Sequence, residues 1–254
     1  MVVGAGFTGL EVATELVDRL RGIAAAHHDE SLVRVLLVER AAVVGPELGP
    51  GPRPVIEAAL NKLGIERRHE STVSRIEAGL VELSDGSTIP CATVIWTAGM
   101  AASPLAAAVS GPRDTLGRLA VDETLRVVGS QAVYAAGDTA AALVEGGHAA
   151  MQSCQHAHAM GRVAGHNAAA DLLGADHVAF SPDPYVTCLD LGAAGAVFTT
   201  GWERRVAQTG ETAKALKRQI NRAIYPPVDD AAAILAAANP VDTTRTPAAL
   251  RSST

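Results

Sequence analysis

The sequence predicts an α/β fold in which a parallel sheet carries an antiparallel meander, and three observations predict it. Residues 1–16 have the pattern of a short strand, a tight glycine turn and a helix. Residues 33–38 are a β-branched run typical of a buried parallel strand. Three short strand patterns at residues 73–76, 80–83 and 88–89 indicate the meander, with Asp85-Gly86 as a hairpin signal between the last two.

The first turn has the spacing Gly4-x-Gly6-x-x-Gly9. Gly4 allows the turn, Gly6 removes a side chain where a diphosphate has to approach, and Gly9 lets the helix pack closely on the strand. The turn continues through Phe7 and Thr8 into a helix N-terminus, whose free N–H groups and dipole favour phosphate. This pattern predicts a Rossmann-like dinucleotide-binding domain, although the same spacing also occurs in turns that bind nothing.

The second strand pattern ends in Glu39. A carboxylate at this position can accept hydrogen bonds from the adenosine ribose and would repel a 2′-phosphate, which favours NAD over NADP. The gap from Gly9 to Glu39 is longer than the usual distance of about 20 residues. Arg40 follows at once and tolerates a phosphate, so NADP stays open.

Composition and charge exclude several classes of protein. A length of 254 residues fits one or two domains, and the net charge of −6 argues against a nucleic-acid partner. No apolar run reaches the roughly 18 residues of a membrane helix, and no signal-peptide pattern is present. The three cysteines lack C-x-x-C spacing, and no metal-ligand spacing relates the eight histidines, so we expect a cytoplasmic protein without a metal site or redox disulfide.

The remainder of the chain continues to alternate strand and helix patterns. A Pro/Gly-rich segment at residues 45–54 is interpreted as a connection, and a strand at 93–96 ends in Thr97-Ala98-Gly99. Such a small-residue turn lies where α/β sheets bind ligands, although a plain turn explains the tripeptide equally well. The further elements predicted are a helix at 55–63, strands at 65–68, 119–122, 124–127, 131–136 (ending in Gly137-Asp138) and within 185–202, helices at 151–173 and 211–225, and a disordered tail from 242.

The order of these features resembles the flavoprotein pyridine nucleotide oxidoreductases, and most of all their type II NADH dehydrogenase-like branch. The resemblance covers residues 1 to about 167. It implies an NAD(P)-binding domain at 1–100, the C-terminal segment of a discontinuous FAD-binding domain at 101–178, and a strand and helix region at 179–241 before a tail at 242–254. It also implies the cofactors FAD and NAD(P)H, with NADH favoured, and hydride transfer through the flavin to a quinone or dye-like acceptor.

The resemblance further implies roles for individual residues. Glu11, two residues past the third glycine, would lie close to the nicotinamide and the flavin, but a first-turn helix carboxylate explains it equally well. Gln155 matches the first of two glutamines found in the quinone reductases, and Ala159 stands where the second would be. The implied cofactor-binding residues are Gly4, Gly6, Phe7, Thr8, Gly9 and Glu39 for NAD, Ala98 and Gly99 at the junction of the two cofactors, and Gly137 and Asp138 for FAD.

The sequence departs from the family in having one glycine fingerprint, whereas the family has an earlier one for the FAD adenosine. We therefore expect the later segments of a longer flavoprotein; the alternatives are a non-catalytic dinucleotide-binding fragment or one half of a split flavoprotein. The partner would be a second copy or a chain that carries the missing FAD segment. Within the basic helix at 211–225, residues 212–224 can contact the inner face of the cell membrane weakly, but a solvated helix face is the favoured interpretation.

Overall fold

The computed structural model describes residues 1–224 and 229–240, so the predicted tail from residue 242 and the Pro226-Pro227 stop lie outside the described residues. The helices are α1 (Phe7–Ala25), α2 (Arg53–Leu63), α3 (Cys154–Leu173), α4 (Gly210–Ile224) and α5 (Ala231–Ala237). The strands are β1 (Val2–Val3), β2 (Leu36–Val38), β3 (Glu66–Arg68), β4 (Val73–Glu77), β5 (Leu80–Leu83), β6 (Thr88–Pro90), β7 (Ile95–Trp96), β8 (Leu119–Ala120), β9 (Ala140–Ala141), β10 (Val186–Asp190), β11 (Ala196–Thr200) and β12 (Arg205–Thr209).

The chain divides into two compact units. The first unit contains Met1–Gly99 and Tyr185–Ile220, and the second contains Met100–Pro184 with the described residues after Ile220. Residues 179–241, which the sequence groups together, therefore contribute to both units.

A parallel sheet forms the centre of the first unit, with the strand order β3-β2-β1-β7. The short strand β1 is its middle: Val2 pairs with Leu37 on one side and with Ile95 on the other. One face of the sheet is covered by α1 and α2, which bury Leu10 and Ile56 in a shared core. Residues of β2 also pack against the meander described below, and this burial explains why β1 and β2 are continuous apolar runs. The edge strand β3, in contrast, is polar and mostly exposed. The predicted α/β class is confirmed.

The antiparallel meander is the sheet β4-β5-β6. Its second hairpin turns at Gly86, which has φ +81°, while Asp85 Oδ1 accepts hydrogen bonds from the backbone and hydroxyl of Ser87. Val81 and Leu83 are buried in a small core shared with β2. The Asp-Gly signal thus predicted the hairpin correctly.

A second antiparallel sheet, β10-β11-β12, and helix α4 complete the first unit. Strand β12 has no signal in the sequence, because its residues are mostly exposed and lack an apolar alternation; its pairing with β11 determines it. The apolar residues Ala213 and Leu216 of α4 are buried inside the protein, and Lys214 and Lys217 are largely buried as well. These side chains are therefore not available to contact lipid.

The second unit is built on α3, which starts after an N-cap at Ser153 and ends at Gly174 in the left-handed conformation. Strands β8 and β9 pair in parallel. The predicted strands at 124–127 and 131–136 are wrong, because these segments form only isolated bridges such as Arg126 with Tyr134. Leu125 has φ +65°, and this left-handed residue interrupts the extended chain.

Candidate functional site

The glycine bend after β1 is as tight as the sequence predicts. Gly4 has φ +99°, and a Cβ atom there would lie 2.9 Å from both Ala98 Cα and the Thr97 carbonyl oxygen. A Cβ atom at Gly9 would lie 1.8 Å from the Gly4 oxygen, so only glycine lets α1 pack this closely. The Thr97 hydroxyl donates to the carbonyls of Val3 and Gly4, which fixes the bend to the neighbouring strand end.

The small-residue turn after β7 lies at the same edge of the sheet. Ala98 and Gly99 are exposed, as is Thr8 in the first turn of α1. Gly99 has φ +102°, which favours glycine at this position. The fold thus brings two predicted segments, residues 4–9 and 97–99, side by side at the carboxyl ends of β1 and β7, where α/β sheets bind ligands.

Glu39 points into the glycine bend. It is buried, and its carboxylate accepts hydrogen bonds from the Ala5 N–H at 2.7 Å and from the Ala41 N–H at 2.8 Å. A carboxylate has about four acceptor positions, so each oxygen keeps capacity for a ribose hydroxyl. Arg40 is exposed beside it.

A carboxylate of the protein itself is bound at the N-terminus of α1. Glu47 Oε1 accepts a hydrogen bond from the Phe7 N–H at 2.9 Å. The space beside Gly6 faces the same carboxylate, since a Cβ atom there would lie 2.7 Å from Glu47 Oε1. Glu47 lies in the segment 45–54, which the sequence predicts to be a connection, and no motif marks this residue.

Glu11, one helical turn after Phe7, is part of an ion-pair network. Its Oε1 lies 2.8 Å from Lys217 Nζ and accepts a hydrogen bond from the Asp190 N–H at 2.9 Å. Lys214 pairs with Asp190 at 2.5 Å, and Lys217 Nζ lies 5.4 Å from the centre of the Phe7 ring. The positive charge of Lys217 in α4 therefore compensates the Glu11 carboxylate. Both lysines lie far from Glu11 in the sequence, and no sequence pattern relates them to it.

In the second unit, Asp138 lies close to the start of α3. Gly137 has φ +69°, and its N–H donates to Met160 Sδ at 3.2 Å. The Asp138 carbonyl accepts a hydrogen bond from Gln152 at 3.0 Å, while its exposed carboxylate has no hydrogen-bond partner among the described residues. Gln155 donates to the Pro184 carbonyl at 3.1 Å.

His156, which follows Gln155 on α3, is buried. Its Nδ1 lies 3.1 Å from the Met151 N–H, and burial lowers the pKa of the imidazole. The described part of the chain has no cluster of histidine, cysteine and acidic residues suited to a metal ion. Nor does it contain a helix with the length and apolar character needed to cross a bilayer.

Sequence comparisons relate the chain to known oxidoreductases. Residues 1–161 match the sequence model of the pyridine nucleotide-disulphide oxidoreductase family. An NADH dehydrogenase-like protein of Mycobacterium tuberculosis is 48% identical over 242 residues, which cover 94% of this chain and 60% of that relative. A type II NADH:quinone oxidoreductase of the same organism is 34% identical over 150 residues, or 54% of this chain and 32% of that protein. The chain thus spans at most about 60% of these curated relatives.

The fold is also found among solved structures. The structure of NDH2 from Plasmodium falciparum in complex with NADH matches with a TM-score of 0.69, covering 87% of this chain and 61% of that one. Its sequence identity is 14%, so this likeness establishes the fold alone.

Proposed function

The chain belongs to the pyridine nucleotide-disulphide oxidoreductase family, and from this premise we propose that it is an FAD-dependent NAD(P)H oxidoreductase of the NADH dehydrogenase-like kind. The observation that carries the proposal is the glycine bend at residues 4–9, which opens onto the N-terminus of α1 with the Glu39 carboxylate directed into it. The name of the related NADH dehydrogenase-like protein supports NADH as the hydride donor.

The first unit would hold the dinucleotide. In this proposal, the backbone N–H groups at Gly6, Phe7 and Thr8 bind the diphosphate, because they lie at the positive end of the α1 dipole. Glu39 accepts hydrogen bonds from the adenosine ribose. The exposed Arg40 beside it leaves room for a 2′-phosphate, so NADPH remains the second candidate.

The second unit would hold part of the flavin cofactor. The carboxylate of Asp138, which has no hydrogen-bond partner in the described part of the chain, fits a ribityl hydroxyl or another donor of FAD, and Gly137 leaves the approach free of a side chain. When bound, FAD would accept the hydride from NADH and pass the electrons to the acceptor. The protein's part is to bind and orient the reactants, an effect that contributes up to roughly 7–11 kcal/mol in well-oriented reactions. Ala98 and Gly99 would keep the junction of the cofactors free of bulky groups.

A quinone is the acceptor that the related type II enzyme supports by its name. In this proposal Gln155 lines the acceptor position, with its amide turning from the Pro184 carbonyl to the acceptor. Glu11, held by Lys217, would lie near the nicotinamide as a fixed charge. A quinone dissolved in lipid would also imply weak peripheral contact with a membrane.

The test is reconstitution of the purified chain with FAD, followed by a visible spectrum and by NADH oxidation with a water-soluble quinone. We expect a flavin spectrum, quinone-dependent NADH oxidation, and loss of activity in Glu39→Ala and Asp138→Ala. NADH binding without flavin uptake would favour the alternative, a dinucleotide-binding chain without catalysis of its own. If the chain binds neither FAD nor NADH, the proposal fails.

A further inference from the structure

Glu47 occupies the position at which a dinucleotide diphosphate would approach α1. Its Oε1 accepts a hydrogen bond from the Phe7 N–H at 2.9 Å. The same carboxylate occupies the space beside Gly6 in which a side chain would otherwise lie. The diphosphate needs the same N–H groups and the same space. A carboxylate and a phosphate also repel each other, so the two anions exclude one another at this point.

We propose that Glu47 is a built-in competitor of the dinucleotide: its carboxylate has to leave the N-terminus of α1 before the diphosphate binds, and it thereby sets the affinity for NADH. This inference rests on the proposed function, because it assumes that the glycine bend is the dinucleotide site. Glu47 would thus lower the affinity for NADH, whereas the other residues of the proposed site raise it.

In the segment around Glu47, the backbone is anchored by buried contacts, whereas the Glu47 side chain is exposed. Glu47 lies in a single 3-10 turn, Pro46–Leu48, between Gly45 with φ +54° and Gly49 with φ +74°. Leu48 is buried at 3% exposure and anchors the turn, and the Gly45 N–H donates to the Ala5 carbonyl. Glu47 itself is exposed, so rotation of its side chain into solvent is enough to free the Phe7 N–H.

A second, independent observation points to an anion in this region. Arg204 is only 6% exposed, and its Nη1 has no hydrogen-bond partner within the part of the chain that the structure describes. Its guanidinium lies 4.6 Å from the centre of the Tyr185 ring. The backbone of Arg204 contacts the segment that follows Glu47, since a Cβ atom at Gly51 would lie 2.9 Å from the Arg204 carbonyl oxygen. Burial raises the pKa of the Tyr185 hydroxyl; the Arg204 guanidinium opposes this shift and the Glu47 carboxylate adds to it, so both charged groups lie near that hydroxyl. A buried cation with a donor that no described residue uses therefore lies near Glu47, where it favours an incoming phosphate.

The experiment compares NADH, ADP-ribose and adenosine binding to the full chain and to three variants: Glu47→Gln, Glu47→Ala and Asp18→Asn. Asp18 is an exposed residue of α1 that lies outside the glycine bend, so Asp18→Asn is the control for the loss of one negative charge. We expect Glu47→Ala to bind NADH and ADP-ribose roughly threefold to tenfold more tightly, because a charge-assisted hydrogen bond no longer competes. Glu47→Gln should lie between it and the wild type.

The adenosine titration identifies the cause. Adenosine lacks the diphosphate, so its affinity should stay within about twofold in every variant if Glu47 acts on the phosphates alone. Unchanged or weaker NADH binding in both Glu47 variants, while the wild type binds NADH, would overturn the inference and leave the proposed function standing. Failure of the wild type and all variants to bind NADH would instead overturn the proposed function, and the inference with it.

Discussion

Glu39 and Ala5 are joined by a buried 2.7 Å hydrogen bond, from the Ala5 N–H in the glycine bend to the carboxylate at the end of β2. The bond ties two neighbouring strand ends together at the point where the dinucleotide is proposed to bind. The same carboxylate accepts a hydrogen bond from the Ala41 N–H, so the Glu39 side chain is the acceptor for two backbone N–H groups. Glu39 therefore has a structural role and a proposed ligand-binding role at once.

The comparison of Glu39→Ala with Glu39→Gln separates these two roles. For Glu39→Ala we expect a loss of about 1–3 kcal/mol of unfolding free energy, because two backbone N–H groups lose their acceptor. We also expect weaker NADH binding. Glu39→Gln retains an acceptor oxygen, so it should recover part of the stability while still weakening the contact with ribose. Urea unfolding and NADH titration of both variants measure the two effects; equal stability of Glu39→Ala and wild type would contradict the structural role.

Gly9→Ala should be severely destabilising. The added methyl would lie 1.8 Å from the Gly4 oxygen and 2.7 Å from the Thr97 hydroxyl, so the bend or the helix has to move. Overpacking of this kind costs about 1–3 kcal/mol, and backbone contact places this case at the upper end.

Gly22→Ala is the matched control, since Gly22 lies on the same helix and a Cβ atom there meets nothing within 4 Å. Gly22→Ala should raise the free energy of unfolding by about 0.5–1 kcal/mol, because alanine has a higher helix propensity than glycine. Thermal unfolding of both variants tests the pair, and similar melting temperatures would show that the close packing at Gly9 is not needed.

These contrasts explain which features could be predicted from the sequence. The bend at Gly4 and the hairpin at Gly86 were predictable, because each depends on a positive φ that few residues adopt. Gly9 was predictable for another reason, since the close packing of α1 on the bend leaves no space for a Cβ atom. Glu47 and Lys217 were not, because they reach α1 only through tertiary folding; Glu47 is 40 residues from its partner Phe7.

The incorrect strand predictions in the second unit have a similar cause. Residues 124–127 look extended by composition, but Leu125 is left-handed and Asp122 accepts three hydrogen bonds from Thr124 and Arg126. The carboxylate therefore favours a turn over a strand. A buried apolar residue with positive φ has no sequence signal, whereas a glycine at the same place would have indicated the turn.

Lys217→Met should destabilise the first unit, because the Glu11 carboxylate loses its positively charged partner and keeps only the hydrogen bond from the Asp190 N–H. Both side chains are largely buried, with 14% and 28% exposure, so the expected loss is about 1–3 kcal/mol, below that of a fully buried pair. Adding Glu11→Gln should restore part of it.

The control for this pair is Arg218→Met, on the same helix. Arg218 pairs with Glu211 in an exposed position, and such pairs contribute about 0–1 kcal/mol. Denaturant unfolding of the single and double variants gives the coupling free energy directly. A coupling near zero between Glu11 and Lys217 would mean that the ion pair does not hold α4 against α1.

The network around Asp171 should make the stability of the second unit depend on pH. Asp171 accepts hydrogen bonds from the Tyr134 hydroxyl at 2.8 Å and from Arg126 at 3.0 Å, and it lies 2.7 Å from His177. The Tyr134 hydrogen bond, followed by those of Arg126 and His177, lowers the pKa of Asp171 below its usual value. A lowered carboxyl pKa contributes stability that is present above about pH 4 and is lost as the pH falls through the lower, folded-state value.

Asp171→Asn removes this contribution. We therefore expect it to lower the melting temperature near neutral pH and to flatten the decrease in stability as the pH falls below about 4. Asp176→Asn is the control, since Asp176 is exposed five positions further on. Among the residues that the structure describes, only its backbone carbonyl lies near a donor, His166 Nε2. Melting curves recorded across this range distinguish the two. If Asp171→Asn and the wild type lose stability in parallel on acidification, another carboxylate causes the acid sensitivity.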